Sequence, residues 1–541
     1  MSGGAGLGGA GGAGLGGAGG AGLGGAGAGG ARPGGAGLGG AGAGGTRASG
    51  AGLGGAGLGG AGAGGTRTSG AGAGGAGPRL PDGPRAGRVA QTVAFHRDPL
   101  GFLRAQRLRF GDLFTIRLAV AGPAVVVADP AAVPALLDAD PLHARAGEAR
   151  RRILGFVSPR SVLGADGGEH RAARARIAPV FAAAAAEGRR ASIAALADRH
   201  AASWPRGRPT RLLPHTRAFA DEVFVRLVLG VRDERRVAPL VVAIRRMLWT
   251  PGYPPLPPPG EGAGLLGQLG AHRYDRRADP VRALLRAELA ERAAEGRAVA
   301  APDAAAAPDA VAAPDAAAAP DAAAAPDAVA APGGSAPPPT LLDAFASMPL
   351  DAAVDQVIPL LAAGQEPPAC ALAWLLDRIA REPALAAPFL DPAADDDARA
   401  AAERERFVKE TLRLRPPVHT VARRLRDPRD VAGVTLPAQT TVLLPTVLLH
   451  RDPLTFPEPD RFLPARWRDG DAPDERAYLP FGGGARRCVG EPLAHALVDV
   501  ALPRLARAAR LRPVGRTPER MVVRGTVTAG RRSVLARATG G

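Results

Sequence analysis

Cys488 lies in the segment Phe481-Gly482-Gly483-Gly484-Ala485-Arg486-Arg487-Cys488-Val489-Gly490, and Cys370 is the only other cysteine in 541 residues. Glycines on both sides allow the backbone to turn tightly around the thiol, and the two adjacent arginines offer charge to hold it as a thiolate. A thiolate in such a loop is a nucleophile or a metal ligand. Spacing removes several candidates. A phosphatase loop needs an arginine soon after its cysteine, and residues 489–497 contain none. A phosphate-binding loop needs Gly-Lys-Ser/Thr, but the single lysine, Lys409, lies elsewhere. Zinc would need a second cysteine or a close histidine pair nearby. What remains is an axial thiolate on haem iron, pushing electron density toward bound oxygen, or a buried cysteine in a Gly-rich turn.

Phe481, Gly484, Arg486, Cys488 and Gly490 fill the pattern Phe-x-x-Gly-x-Arg-x-Cys-x-Gly. This segment resembles the haem-binding loop of the cytochrome P450 family. The resemblance implies haem b as cofactor, with Cys488 on the iron, Arg486 on a propionate and Phe481 near the sulfur. A helix starting just after the cysteine would aim its positive end at the thiolate. Three more segments follow in the family's order. Gly168-Glu169-His170-Arg171-Ala172-Ala173-Arg174 is similar to the helix that supplies His-x-x-x-Arg, which makes His170 and Arg174 expected propionate partners one turn apart. Arg423 is a third, with Arg424 its competitor. Glu-x-x-Arg occurs at Glu148/Arg151, Glu403/Arg406 and Glu410/Arg413, but only the last precedes a Leu-Arg-Pro-Pro stop. By the resemblance Arg461, in Phe456-Pro457-Glu458-Pro459-Asp460-Arg461-Phe462, completes a structural triad with Glu410 and Arg413.

The fourth segment, Ala362-Ala363-Gly364-Gln365-Glu366-Pro367-Pro368, resembles the oxygen-binding part of the family's long helix. The resemblance makes Ala363, Gly364 and Glu366 the expected catalytic positions. Where the family usually has a threonine, this chain has Pro367, which offers neither a hydroxyl nor an N–H. The carbonyls of Ala363 and Gly364 therefore lose their helical donors. Glu366 with ordered water is one route for protons to dioxygen. Peroxide-driven or reductase-independent chemistry (a peroxygenase or isomerase) is the alternative.

These residues need a scaffold. Helices are expected over 97–110, much of 168–300, 341–382 with a break in the middle, 399–415 up to Pro416-Pro417, and after Cys488. Phe114–Val120 and Ala124–Ala128 suggest a hairpin, and Val431–Leu436 and Thr441–Leu444 suggest strands. The fold class is mainly α with a small β component, a prism of helices enclosing haem, as the resemblance implies. Residues 1–78 form a Gly/Ala/Leu repeat, and 300–339 repeat Ala-Ala-Pro-Asp-Ala. Both are expected to be disordered or flexible, leaving one catalytic domain over 79–541 interrupted by the 300–339 insertion.

The net charge of +17 is nearly all arginine, scattered and without interleaved aromatics, which make up 4% of the chain. That pattern argues against nucleic-acid binding. Two cysteines cannot build a disulfide framework, and no apolar run reaches the ~18 residues of a membrane span. A cytoplasmic monomer is expected. By the resemblance it inserts one oxygen atom from dioxygen into an apolar small molecule, drawing on a ferredoxin or flavodoxin and its NAD(P)H reductase. A basic face including Arg486 and Arg487 would steer that partner. A non-catalytic haem sensor is the other class of reading.

Overall fold

The computed structural model describes residues 79–119, 122–154, 157–248, 264–294, 338–468, 470 and 473–539. The N-terminal repeat and nearly all of the Ala/Pro/Asp insertion lie outside the described residues. Helices predominate. The longest of those near the cysteine loop, Leu350–Arg381, packs along Leu212–Val223 and buries two runs of side chains, one from Gln356 to Ala362 and one from Leu372 to Asp377. The expected break in its middle is absent: the helix runs as one through Pro359, Pro367 and Pro368. Burial of Ala369, Cys370, Leu372, Ala373 and Trp374 on the far side of the prolines offsets the helix propensity lost there, about 3 kcal/mol per proline. The real interruption is earlier. Leu341–Phe345 is a separate short helix, capped by Thr340 and Asp343, and Pro349 starts the long one.

A five-stranded sheet flanks the helices, in the order Leu113–Leu118, Gly122–Val127, Thr441–Leu444, Val421–Leu425, Ala144–Arg145. The first two form the expected hairpin, with Leu113 opposite Val127, and only the Gly122–Val127/Thr441–Leu444 pair is parallel. The segment expected as one strand over 431–436 is instead a tight hairpin of Arg429–Val431 and Val434–Leu436. Ala432 (φ 51°) and Gly433 (φ 76°) both take the left-handed conformation that a two-residue hairpin turn requires.

Alternation along Val421–Leu425 has a direct consequence for the site. Successive side chains point to opposite faces of a strand. Arg423 is wholly buried, whereas Arg424 turns the other way to Glu148, Gln439 and Thr441.

Helix Ala398–Leu414 ends before Pro416-Pro417 and holds Glu410 and Arg413 at its buried end. After the cysteine loop comes Glu491–Ala496, a wide turn over Leu497–Ala501, then Leu502–Ala509. Short C-terminal strands were not anticipated: Leu535–Ala538 pairs with both Pro209–Arg211 and Leu511–Pro513. Among the described residues no helix is long and apolar enough to cross a membrane.

Candidate active site

The cysteine loop is built around close backbone approach. Gly484 has φ +61°, and a Cβ there would stand 2.6 Å from the Leu137 carbonyl oxygen. Neither condition tolerates a side chain. Gly484–Arg486 form one tight helical turn, and Cys488 N–H donates to the Phe481 carbonyl at 2.9 Å, closing the loop. Cys488 is packed by protein on most sides, yet its surface is open onto a cavity of about 470 Å³, a volume typical of ligand pockets. Burial pushes its thiol up, opposed by the Gly490 N–H and, more weakly, by Arg174 and Arg150.

The adjacent arginines do not hold the sulfur as expected. Arg487 is exposed and paired through Nε and Nη2 with both carboxylate oxygens of Glu491 (2.6 and 2.7 Å). Arg486 turns inward, donating to Asp140 (2.9 Å), the Ala165 carbonyl (2.9 Å) and Asp166 (2.6 Å). Being buried, Arg486 cannot belong to a basic surface either.

Arg150, His170, Arg174, Arg423, Arg486, Phe481 and Gly490 line the same cavity as Cys488. A Cβ on Gly490 would lie 3.8 Å from Cys488 Sγ. Arg174 donates to the Arg487 carbonyl at 2.7 Å. Burial, reinforced by Arg486, Arg150 and Arg174, pulls His170 down to about 4, so its imidazole is neutral at physiological pH. Burial also pulls Arg150 and Arg423 down to about 10. Among the described residues five arginines face this cavity, and none of those lining it is a carboxylate. On this wall three buried guanidinium donors have no hydrogen-bond partner among the described residues: Nε and Nη2 of Arg423, and Nη1 of Arg486. Nε of Arg423 approaches Asp140 Oδ2 at 3.5 Å without making a hydrogen bond. Sequence reasoning missed Arg150. It lies in Ala146–Ile153 among three consecutive arginines, and only the tertiary fold selects the one that turns inward.

Ala363, Gly364, Pro367, Pro368 and Ala371 also line the cavity, at the spacing of one helical face. Glu366 is off that face, contrary to expectation. Both its carboxylate oxygens accept from Arg217, at 2.6 and 2.8 Å. A residue next to Pro367 on the helix is rotated by about 100° from it, which carries Glu366 toward Leu212–Val223 instead.

The expected Glu410/Arg413 pair exists, wholly buried and bidentate at 2.8 Å. Its third member is not Arg461, which is exposed and bonded to Glu458. Arg466 takes the place, donating to Glu410 Oε1 at 3.1 Å, with Trp467 Nε1 on Oε2 at 3.0 Å. Arg461 contributes only its carbonyl, which accepts from Arg413 at 3.0 Å. In the irregular chain after Phe456 no period fixes which side chain turns inward, and a one-turn helix at Pro464–Trp467 aims Arg466 back at Glu410.

The description "Cytochrome P450" belongs to the family profile that matches residues 404–530. A putative cytochrome P450 135B1 of Mycobacterium tuberculosis is 31% identical over 444 residues, 82% of this chain and 87% of its own length. This chain belongs to the cytochrome P450 family. A putative cytochrome P450 135A1 from the same organism is 30% identical, over 76% of this chain and 84% of the relative. The chain also resembles retinoic acid-bound cyanobacterial CYP120A1 in fold, with a TM-score of 0.64 at 19% identity, covering 86% of this chain and all of that one. As a P450 it is a haem-thiolate monooxygenase with iron protoporphyrin as cofactor. The residues present fit that group. Its two carboxylates answer the unpartnered donors of Arg423 and Arg486, and the open thiol of Cys488 offers the sulfur an iron needs.

Proposed function

We propose that this P450 inserts one oxygen atom into an apolar small molecule, with electrons from NAD(P)H passed on by a separate ferredoxin or flavodoxin and its reductase. In this reading Cys488 is the iron ligand. Arg150, His170, Arg174, Arg423 and Arg486 hold the two haem carboxylates, and Phe481 and Gly490 pack beside the sulfur. The carrying observation is the combination of a thiol open to a mostly apolar cavity with five arginines and no carboxylate on its wall. When bound, the haem supplies the activation of dioxygen. The chain's own work is to fix the group, exclude water with Leu360, Leu372 and Val523, and deliver protons.

For protons, the carbonyls of Ala363 and Gly364, deprived of donors by Pro367 and Pro368, are acceptors for ordered water on the cavity wall. Glu366 is the acid one residue away, and its pairing with Arg217 turns it aside. Glu410, Arg413 and Arg466 serve as a structural brace behind the cysteine loop.

The same two features favour a second reading. With no hydroxyl at position 367 and Glu366 bound to Arg217, peroxide-driven turnover would bypass the proton delivery that dioxygen requires. Turnover with hydrogen peroxide, but with no reduced ferredoxin or flavodoxin, would establish it. The primary reading rests on the optical spectrum of the reduced, carbon monoxide-bound protein. The main band is expected at the strongly red-shifted thiolate position and should be lost in Cys488→Ser. A band at the histidine position in the unsubstituted protein overturns the assignment of Cys488.

A further inference from the structure

Away from its arginines the cavity wall is largely apolar, and His96 and His419 interrupt it. They come from distant parts of the chain and both pack on one ring. Phe95 packs edge-on against both, at 5.9 Å from His96 and 5.2 Å from His419.

Each ring has one nitrogen committed. His96 Nδ1 is 2.8 Å from the Thr92 carbonyl oxygen. A carbonyl only accepts, so Nδ1 carries a proton, and in the neutral form of the ring Nε2 keeps its lone pair. His419 Nδ1 is 2.9 Å from the Thr420 hydroxyl, which can donate to it and so leave the N–H on Nε2. Among the described residues neither Nε2 makes a hydrogen bond. Burial and the neighbouring His96 pull His419 down to about 4, so it is uncharged at neutral pH.

We infer that His96 and His419 together form a recognition site for the hydroxyl group of an otherwise apolar alcohol. This inference rests on the reading of the cavity as the oxidation site and names its substrate class. A hydroxyl can donate to His96 Nε2 and can accept from His419 Nε2, so the same group answers either ring. A ketone can answer only His419. A hydrocarbon leaves both ring nitrogens desolvated without a partner, a loss that favours the alcohol. A carboxylate has no proton for His96 and meets no cation from His419.

The test is competition calorimetry on the haem-loaded protein with four probes of one chain length: 1-octanol, 2-octanone, n-octane and octanoate. The expected order is octanol first, by about fivefold to tenfold over octane, with the ketone between them and octanoate weakest. His96→Phe and His419→Phe each should narrow the octanol preference, and the double variant should abolish it. His96→Gln, which keeps a polar group near the place of Nε2, should retain part of it. Octane or octanoate binding as tightly as octanol to the unsubstituted protein overturns the inference, and that measurement needs no variant. An octanol preference that survives in the folded double variant overturns it equally. Each sample's carbon monoxide spectrum keeps the two readings apart. Loss of the red-shifted band in the native protein counts against the haem-thiolate assignment, whereas equal affinities with that band intact count only against the histidine pair.

Discussion

Glu410 accepts from Arg413, the Leu463 N–H, Arg466 and Trp467, and is itself closed to solvent. Removing one partner of a buried ion pair leaves charge uncompensated, whereas an exposed pair contributes under about 1 kcal/mol. Arg466→Ala is therefore expected to lower stability by about 2–3 kcal/mol, and Arg461→Ala by less than 1, in chemical unfolding of the two variants. Equal losses would return Arg461 to the brace. Acid should weaken the fold at the same scale. His419 is pulled down to about 4 by burial, then His96, and His450 to about 3 by burial, then Arg451 and Arg413. Their folded pKa values lie below the unfolded value of about 6.5, so the unfolded chain binds more protons in the interval between. The stability they contribute is complete above pH 6.5 and falls as pH drops toward 4. Asp221, pushed up to about 6 by burial, opposes them over part of that range, as do Asp377, Asp499 and His495, which are also raised, whereas His170 and His215, pulled down by burial, act with the first two. Unfolding midpoints measured at pH 7 and pH 5 should be lower at pH 5.

At the scale of elements, the long helix shows what local sequence can and cannot reveal. Its existence was legible from a sustained apolar stretch, and its proline pair from simple inspection. That the helix would continue through both prolines was not legible, because the compensation comes from Leu212–Val223 and other neighbours far away in sequence. The same distinction runs through the site. Cys488, His170/Arg174 and Glu410/Arg413 were found because short fixed spacings on one turn or loop carry them. Arg150, Arg466 and the Arg217 partner of Glu366 were not, since each depends on which way a side chain turns once distant segments pack. Gly364 marks one such contact. A Cβ there would stand 2.1 Å from Phe224 Cε2, and Phe224 is buried. Gly364→Ala should lower the thermal midpoint, with a cost of about 1–3 kcal/mol from overpacking that outweighs the gain of about 1 kcal/mol in helix propensity. An unchanged midpoint would mean that Phe224 can swing aside freely.

At the scale of the molecule, every residue assigned to the cavity falls between Thr92 and Thr526. A chain starting at residue 79 is therefore expected to take up haem and give the same carbon monoxide spectrum as the full chain. A lost or shifted band would assign the Gly/Ala/Leu repeat a part in the site. The surplus of +17 is distributed in a way that bears on partners as well. Arg486, by sequence a candidate for a basic docking face, is spent inside the fold, and the exposed Arg487 is paired with Glu491, so a basic face of the kind proposed for an electron donor would have to draw on other arginines.

The arginines that line the cavity have a consequence for how the protein comes to exist in a cell. Burial, and after it the neighbouring guanidinium groups, pulls Arg150 and Arg423 down to about 10, with Asp140 and Asp166 offsetting only part of the effect. Before its cofactor arrives, the nascent protein must carry that cost. Haem uptake then acts as a late folding step, with the binding energy of two carboxylates added to the stability of the chain. Cells short of iron or porphyrin should accumulate less of the polypeptide itself, beyond the loss of its activity. The pure apoprotein should unfold at a distinctly lower temperature than the loaded form, in a scan that differs only by one equivalent of haem.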